Sequence, residues 1–140
     1  FIFISLESTF DDIFFTTSSE TPTEVGFSSV LNDKTEEVYL NSFCFGYRPN
    51  SLIELHPEFS AYLFRCQPIR KQIIKLAQGS TRYNMSKVQL MKIEVGIPNN
   101  NEQKKIADFL SSIDKKIETT STQIDKTKEF KKGLLQQMFV

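Results

Sequence analysis

The 140-residue chain lacks the side chains from which most catalytic centres are built. It has a single histidine, His56, and two separated cysteines, so no zinc-ligand spacing is present. It also lacks a glycine-rich phosphate loop and a dinucleotide-binding fingerprint. Asp11 and Asp12 form a carboxylate pair, but a magnesium nuclease would need further carboxylates and usually a nearby lysine, and neither Glu36 nor Glu37 has a lysine two residues later. We therefore predict no catalytic residue, no metal site and no cofactor, and we expect His56 to be a helix cap or a surface residue.

The chain also lacks any hydrophobic run long enough to cross a membrane. Its opening residues, Phe1–Ile4, have neither the charged start nor the small-residue cleavage site of a signal peptide. Two cysteines without such a signal favour a reduced, cytoplasmic protein with Cys44 and Cys66 in its core. Because there is no initiator methionine and the first residues look like a strand, we expect the chain to be a fragment that begins inside a domain.

Acidic residues are absent from one long stretch. Seventeen basic and seventeen acidic side chains cancel over the whole chain, but Arg65–Lys92 carries seven bases and no acid. Residues 1–37, by contrast, carry eight acids and only one base, Lys34. Such an uneven distribution predicts one surface that meets an anionic partner.

Within this acid-free stretch, Gly79–Asn84 supplies backbone amides, hydroxyls, a guanidinium, an aromatic ring and a carboxamide in six residues. These are the groups that clamp phosphates and read base edges in nucleic acid, where arginine suits guanine and asparagine suits adenine. A solvated helix face followed by an ordinary loop would have the same composition. Both interpretations stay open on composition alone.

The hydrophobic pattern predicts one small α+β domain with a mixed sheet, followed by one long C-terminal helix. Alternating apolar residues and turn signals predict strands, a long polar loop, two helices that begin near prolines, and a single helical turn. The predicted strands cover residues 1–4, 12–16, 37–47 and 92–97, the loops 17–32 and 80–87, the helices the segments from Pro57 to Phe64 and from Pro68 to Gly79, and the turn 88–91.

The long helix is predicted from Pro98 onward, because Asn99 or Asn100 can cap it and no proline follows. Its apolar positions recur with an average period of 3.5, which is typical of a seam for another helix. Thr120, Thr127 and Lys131 interrupt that seam, so we expect a specified partner helix and not a tight zipper. The alternative is that the helix folds back on its own domain. The predicted helix-pairing residues are Ile106, Leu110, Ile113, Ile117, Ile124 and Leu134.

Several segments of the chain resemble the specificity subunits of type I restriction and modification enzymes. They occur in the same order as in that family. The segments are Asp12–Pro22, Asn41–Pro49, Ala77–Lys87 (Ala-Gln-Gly-Ser-Thr-Arg-Tyr-Asn-Met-Ser-Lys), Leu90–Pro98 (Leu-Met-Lys-Ile-Glu-Val-Gly-Ile-Pro), Glu102–Glu118 and Phe130–Phe139.

The resemblance implies that residues 1–98 form a target-recognition domain, truncated at its N-terminus, and that residues 99–140 form a conserved spacer helix. A full subunit of that family has two such domains and two such helices, and this chain has one of each. The implied function is sequence-specific recognition of double-stranded DNA, with methyl transfer and cleavage carried out by modification and restriction subunits. No catalysis is expected in this chain. Because the second helix is missing, a homodimer through the C-terminal helix is expected.

The predicted DNA-binding residues are Arg48, Arg70, Lys71, Lys75, Arg82, Tyr83, Asn84 and Lys87. Two other functions stay open on the residues alone. The first is a non-enzymatic coiled-coil interaction module whose globular part binds protein, and the second is a stand-alone nuclease.

Overall fold

The computed structural model describes residues 2–4, 7–8, 11–31, 38–49 and 55–139. The chain divides into two compact units, the head (Phe1–Lys104) and the helical unit (Lys105–Val140). Within the described residues the elements are β1 (Ile2–Ile4), β2 (Glu7–Ser8), β3 (Ile13–Thr16), β4 (Ser18–Ser19), β5 (Ser28–Val30), β6 (Val38–Tyr39), β7 (Cys44–Arg48), α1 (Pro57–Leu63), α2 (Gln67–Ile74), β8 (Tyr83–Asn84), α3 (Lys87–Leu90) and α4 (Asn100–Met138). The predicted α+β class and the long C-terminal helix are confirmed. The functional division of the chain at residue 98 stays a prediction.

The main sheet of the head has the strand order β1-β7-β3-β5. Its core follows from the period of two in a strand, because alternate residues of β3 and β7 lie on the same face. Phe15 pairs with Phe45 and Ile13 pairs with Tyr47, and all four side chains are buried. We expected a mixed sheet, but every strand pairing in the described part of the chain is antiparallel.

Helices α1 and α2 cover this face of the sheet. Both begin near prolines as predicted, since Pro57 is the first residue of α1 and Pro68 is the second residue of α2. Proline suits these positions because an amide in the first turn has no hydrogen-bond partner within the helix. The ring of Phe64 meets that of Phe15 edge-on with 5.1 Å between centroids, and α2 buries Ile69 and Ile73. Helix α2 ends at Ile74, one turn before the predicted Gly79 stop.

His56 occupies the N-cap position of α1 but makes no side-chain capping bond. Its backbone amide instead donates to the Gln103 side chain at 2.8 Å. The two cysteines are reduced, and each is half-buried instead of lying in the core as expected. Burial raises the pKa of the Cys44 thiol.

Two segments contain more secondary-structure elements than the sequence predicted. The predicted loop over residues 17–32 contains β4 and β5, and the predicted single strand over 37–47 consists of β6 and β7 with a turn between them. That turn forms because the Asn41 side chain accepts a hydrogen bond from the backbone amide of Phe43 at 2.9 Å. The predicted strand position Phe1 and the carboxylates Glu36 and Glu37 lie outside the described residues.

The predicted last strand, over residues 92–97, does not form. Its alternation is real, because Ile93, Val95 and Ile97 line an apolar cleft of about 180 Å³ together with residues of the sheet and of α2. The segment therefore lines the apolar cleft of the head with its side chains, without pairing its backbone with a described strand. Period-two patterning reports which side of a segment is buried, and it does not report a hydrogen-bonded neighbour.

Helix α4 begins as the sequence predicts. The side chain of Asn99 accepts a hydrogen bond from the amide of Glu102 at 3.0 Å, which satisfies one of the open amides of the first turn. The 39 residues of the helix extend over about 58 Å at 1.5 Å per residue.

Candidate nucleic-acid interface

The four arginines of the chain all lie in the head, and three of them donate from their terminal nitrogens to a carboxylate or carbonyl of the head. Arg48, on β7, makes a bidentate ion pair with Asp12, with N–O distances of 2.7 and 2.8 Å. The Asp12 side chain is fully buried and that of Arg48 is 37% exposed, so this part-buried pair joins the end of β7 to the residue before β3. The preceding residue, Asp11, adopts a left-handed φ of 74°, and burial raises the pKa of its carboxyl group.

Arg70 is one of the few buried charged residues in the described part of the chain. Its terminal nitrogens donate to the carbonyls of Thr23, Val25 and Gly26 at 2.6, 2.9 and 2.7 Å. The guanidinium also lies 4.6 Å from the centroid of the Phe27 ring. Burial lowers the pKa of Arg70. These bonds hold the turn between β4 and β5 against helix α2.

Arg65 has a similar role one helix earlier in the chain. Its Nε and one terminal nitrogen donate to the carbonyl of Ser28 at 2.9 and 2.7 Å. Ser28 is the first residue of β5, so this contact anchors the edge strand of the main sheet. Arg65 and Arg70 together attach the segment from Thr23 to Ser28 to the helices.

Arg82 lies at the surface. Its Nε donates to the hydroxyl of Ser18 at 2.9 Å, and its guanidinium lies 5.0 Å from the centroid of the Phe43 ring. Phe43 is 51% exposed, although it is a phenylalanine. The three residues come from β4, the turn before β7, and the loop before β8. We call this group the Arg82 cluster: Ser18, Phe43 and Arg82.

A tight backbone turn positions Arg82. Gln78 and Asn84 exchange two backbone hydrogen bonds of 2.9 and 2.8 Å, which close the segment between them into a hairpin. Gly79 adopts a φ of 141°, and a Cβ at this position would collide with the carbonyl oxygen of Arg82. Only glycine fits this conformation without strain. The hairpin is attached to the head by β8, which pairs with β4.

The predicted lysines lie outside this turn. Lys71 on α2 and Lys75 at its C-cap are exposed, in contrast to the buried Arg70. Lys87 is exposed at the start of α3, with its Nζ 5.5 Å from the centroid of the Phe45 ring. An acidic group lies near β4: Glu24 accepts a hydrogen bond from Ser19 at 2.8 Å, and hydrogen bonds from Ser19 and Thr21 lower its pKa.

The structure therefore separates the eight predicted DNA-binding residues into two groups. Arg48 and Arg70 bind within the head, whereas the exposed positions of the set are Lys71, Lys75, Arg82, Asn84 and Lys87, with Tyr83 half-buried between them. Sequence reasoning missed Ser18 and Phe43, because no spacing in the chain indicates that residues 39 and 64 positions away from Arg82 would contact it. Contact with DNA stays a prediction for all eight residues.

The helix-pairing residues fall into two groups as well. Ile113, Ile117, Ile124 and Leu134 are exposed along α4, whereas Ile106 and Leu110 are half-buried. Thr120 and Thr127 donate their hydroxyls to backbone carbonyls four residues earlier, so their hydroxyl protons are used within the helix. Pairing with another helix stays a prediction.

Among the residues that the structure describes, no group of three or more histidine, cysteine, aspartate and glutamate side chains is arranged to hold a metal ion. In the same residues, no helix combines the length and the apolar character that a membrane span needs.

Comparison with known proteins gives a consistent match. The family model for the type I restriction modification DNA specificity domain matches residues 10–129. A protein named as the MjaX type I restriction enzyme specificity subunit of Methanocaldococcus jannaschii is 34% identical over 95 residues, which are 66% of this chain and 22% of that protein. The crystal structure of a type I restriction-modification S subunit from M. genitalium has the same fold, with a TM-score of 0.67 and 20% identity over 89% of this chain and 31% of that one.

The chain spans less than a third of the length of each of these relatives. The family match itself extends through most of the head and most of helix α4. Because it covers far more than half of the residues, the chain belongs to the family of type I restriction modification DNA specificity domains.

Proposed function

We propose that the chain recognises a specific sequence in double-stranded DNA as part of the specificity subunit of a type I restriction-modification complex. The observation that carries this proposal is the family match over residues 10–129. In this proposal the chain has no catalytic role, and it directs methylation and cleavage that the modification and restriction subunits perform. Its location is the cytoplasm, where the DNA is.

The proposed division of labour follows the two parts of the chain. Residues 1–98 are the target-recognition domain, and residues 99–140 are the spacer that pairs with a second helix and docks the modification subunit. The exposed apolar residues along α4 support this role, because a single helix leaves them in water. For residues 1–140 taken by themselves, we propose that a second copy supplies the partner helix and that the pair has two-fold symmetry.

The proposed DNA-facing surface is the exposed basic part of the acid-free stretch. Lys71, Lys75 and Lys87 suit phosphates, because lysine carries a compact charge on a flexible stem. Arg82, Tyr83 and Asn84 lie on a rigid hairpin and suit groove contacts. Arg48 and Arg70 support DNA binding indirectly, by holding strands and turns in place.

Salt dependence of binding tests the surface. Each lysine that neutralises a phosphate releases a counterion and contributes about 0.9 to the slope of log affinity against log salt concentration. Lys71→Ala combined with Lys75→Ala should lower that slope by up to about 1.8 and weaken binding to all duplexes alike. The measurement is fluorescence anisotropy with duplex DNA over a series of salt concentrations, on the protein assembled with its modification subunits.

The matched control is Lys115→Ala combined with Lys126→Ala. It removes the same charge from exposed positions of α4 on the face opposite the apolar stripe, and it should leave the slope unchanged. An unchanged slope in the Lys71 and Lys75 variant would move the DNA surface elsewhere. If the assembled protein binds no duplex at low salt but still pairs through α4, the coiled-coil adaptor whose head binds protein would replace the proposed function.

A further inference from the structure

Arg82 differs from the other three arginines in the hydrogen bonds of its terminal guanidinium nitrogens. Arg48, Arg65 and Arg70 each use at least one terminal nitrogen on a carboxylate or carbonyl of the head. Arg82 donates only from Nε, and neither of its terminal nitrogens has a hydrogen-bond partner within the described residues. Its side chain is also exposed. The guanidinium therefore presents two parallel donors to an external acceptor.

The Arg82 cluster holds that guanidinium in one orientation. The bond to Ser18 fixes Nε, and the Phe43 ring at 5.0 Å limits rotation of the guanidinium plane. Phe43 is itself held, because its carbonyl accepts from the amide of Thr17 at 2.7 Å and its amide donates to the Asn41 side chain. A side chain that is ordered before binding loses less entropy when it binds, so this arrangement favours recognition of one acceptor geometry.

Two parallel donors fit two acceptors in one plane, which a guanine edge offers through O6 and N7 and a phosphate offers through two oxygens. The surroundings favour the guanine. The partners of Arg82 are a neutral hydroxyl and an apolar ring that is half exposed, and a ring of this kind suits a base edge or a thymine methyl group. The residue after Ser18 holds the carboxylate of Glu24, whose negative charge disfavours a nearby phosphate.

We propose that Arg82 reads one guanine in the major groove through O6 and N7, and that Ser18 and Phe43 are positioning residues for it. This inference rests on the proposed function, because it requires the head to bind duplex DNA. It adds to the proposed function the identity of one recognised base and two residues that position Arg82. It also separates base reading by Arg82 from phosphate binding by the lysines of α2.

The preferred duplex of the assembled protein is first identified by selection from randomised duplexes. Base analogues are placed in that duplex. Each guanine is then replaced in turn by 7-deazaguanine, which lacks N7, or by inosine, which keeps O6 and N7. At one position 7-deazaguanine should weaken binding by the normal protein, whereas inosine should not. Arg82→Ala should remove this penalty, and it should lower discrimination between guanine and adenine at that position by roughly 5- to 150-fold.

Further variants separate a positioning role from a structural one. Arg82→Lys keeps the charge but loses the fork, so it should retain the salt slope and lose the 7-deazaguanine penalty. Ser18→Ala and Phe43→Leu should reduce the same penalty without changing the salt slope or the preferences at other positions. Residues that only stabilise the head would change the unfolding midpoint and leave the penalty at its full size.

Two results would overturn the inference while the proposed function stands. In the first, Arg82→Ala weakens all duplexes equally and lowers the salt slope by about 0.9, which identifies a phosphate contact. In the second, Arg82→Ala and Arg82→Lys both keep the full base preference and the full 7-deazaguanine penalty. Failure of the proposed function looks different, because the normal protein would then select no sequence from the randomised pool, and the inference would fall with it.

Discussion

The head and the helical unit differ in which side chains they bury and which they expose. In the head, the guanidinium of Arg70 is buried against three carbonyls and the carboxylate of Asp12 is fully buried against Arg48. In the helical unit, Ile117 is 62% exposed and Phe130 is 68% exposed. The head uses polar side chains to complete its own fold, whereas the helical unit leaves its large apolar side chains from Ile113 to Phe139 exposed.

The difference indicates which part of the chain depends on another molecule. A buried arginine with paired donors stabilises a structure that is already closed, because removing it would leave carbonyls unsatisfied. An exposed apolar stripe stabilises nothing until a second surface covers it. We therefore expect substitutions in the head to change its folding stability, and substitutions in the stripe of α4 to change assembly.

The largest expected effect concerns the stripe. Ile113→Asp combined with Ile117→Asp should abolish pairing of the helix, since burying each isoleucine contributes about 1.5 to 3 kcal/mol. Sedimentation should give the mass of one chain, and docking of the modification subunit should weaken. The unfolding transition of the head, followed by circular dichroism, should not change.

Thr119→Asp combined with Thr122→Asp is the matched control, because these residues lie on the opposite face of α4 and receive the same added charge. This variant should pair normally. If the double isoleucine variant instead unfolded the head, α4 would fold back on the head, and the comparison between the two units would fail.

The next effect concerns Arg70. Arg70→Ala should destabilise the head by about 3 to 5 kcal/mol, because it leaves three carbonyls without their donor and removes a buried side chain. Urea denaturation followed by the fluorescence of the tyrosines measures the change. Lys71→Ala, one residue later on the exposed side of α2, should stay within about 0.5 kcal/mol of the unchanged protein. Equal midpoints for the two variants would mean that water replaces the guanidinium at no cost.

The smallest expected effects are the changes in stability when two glycines are replaced by alanine. Gly79→Ala should destabilise the head by about 1 to 3 kcal/mol, because its φ of 141° is strained for alanine and the new methyl group would collide with the Arg82 carbonyl. Gly133→Ala should stabilise α4 by about 0.5 to 1 kcal/mol, because nothing lies within 4 Å of the new Cβ and alanine is the better helix former. Thermal unfolding of the two variants should therefore shift in opposite directions. A shift in the same direction would show that the hairpin tolerates a side chain at Gly79.

Local signals predicted the elements that local chemistry controls. Pro57 and Pro68 marked the starts of α1 and α2, and Asn99 marked the cap of α4, because each acts on backbone groups within a few residues of itself. The stripe of α4 was predicted from its period alone. The segment over 92–97 was assigned wrongly as a strand, because strand pairing depends on a distant neighbour that no local pattern specifies.

In the candidate site, too, contacts between residues far apart in the chain could not be predicted from local sequence. The acid-free stretch and the polar loop around Arg82 were evident from residue types, but the closure of that loop into a hairpin and the roles of the arginines were not. Arg70 and Arg82 both belong to the acid-free stretch, and their shared residue type did not indicate that one is buried and the other exposed.

The sequence by itself determined the family, the α+β class, the long helix and its apolar stripe, because these depend on composition, periodicity and short motifs. The tertiary structure alone decided that Ser18 and Phe43 would meet Arg82, and that Arg48, Arg65 and Arg70 would bind within the head. The physical reason is distance along the chain. A hydrogen bond or ring contact between residues dozens of positions apart exists only after the sheet and helices have brought them together, and nothing in either local sequence encodes it.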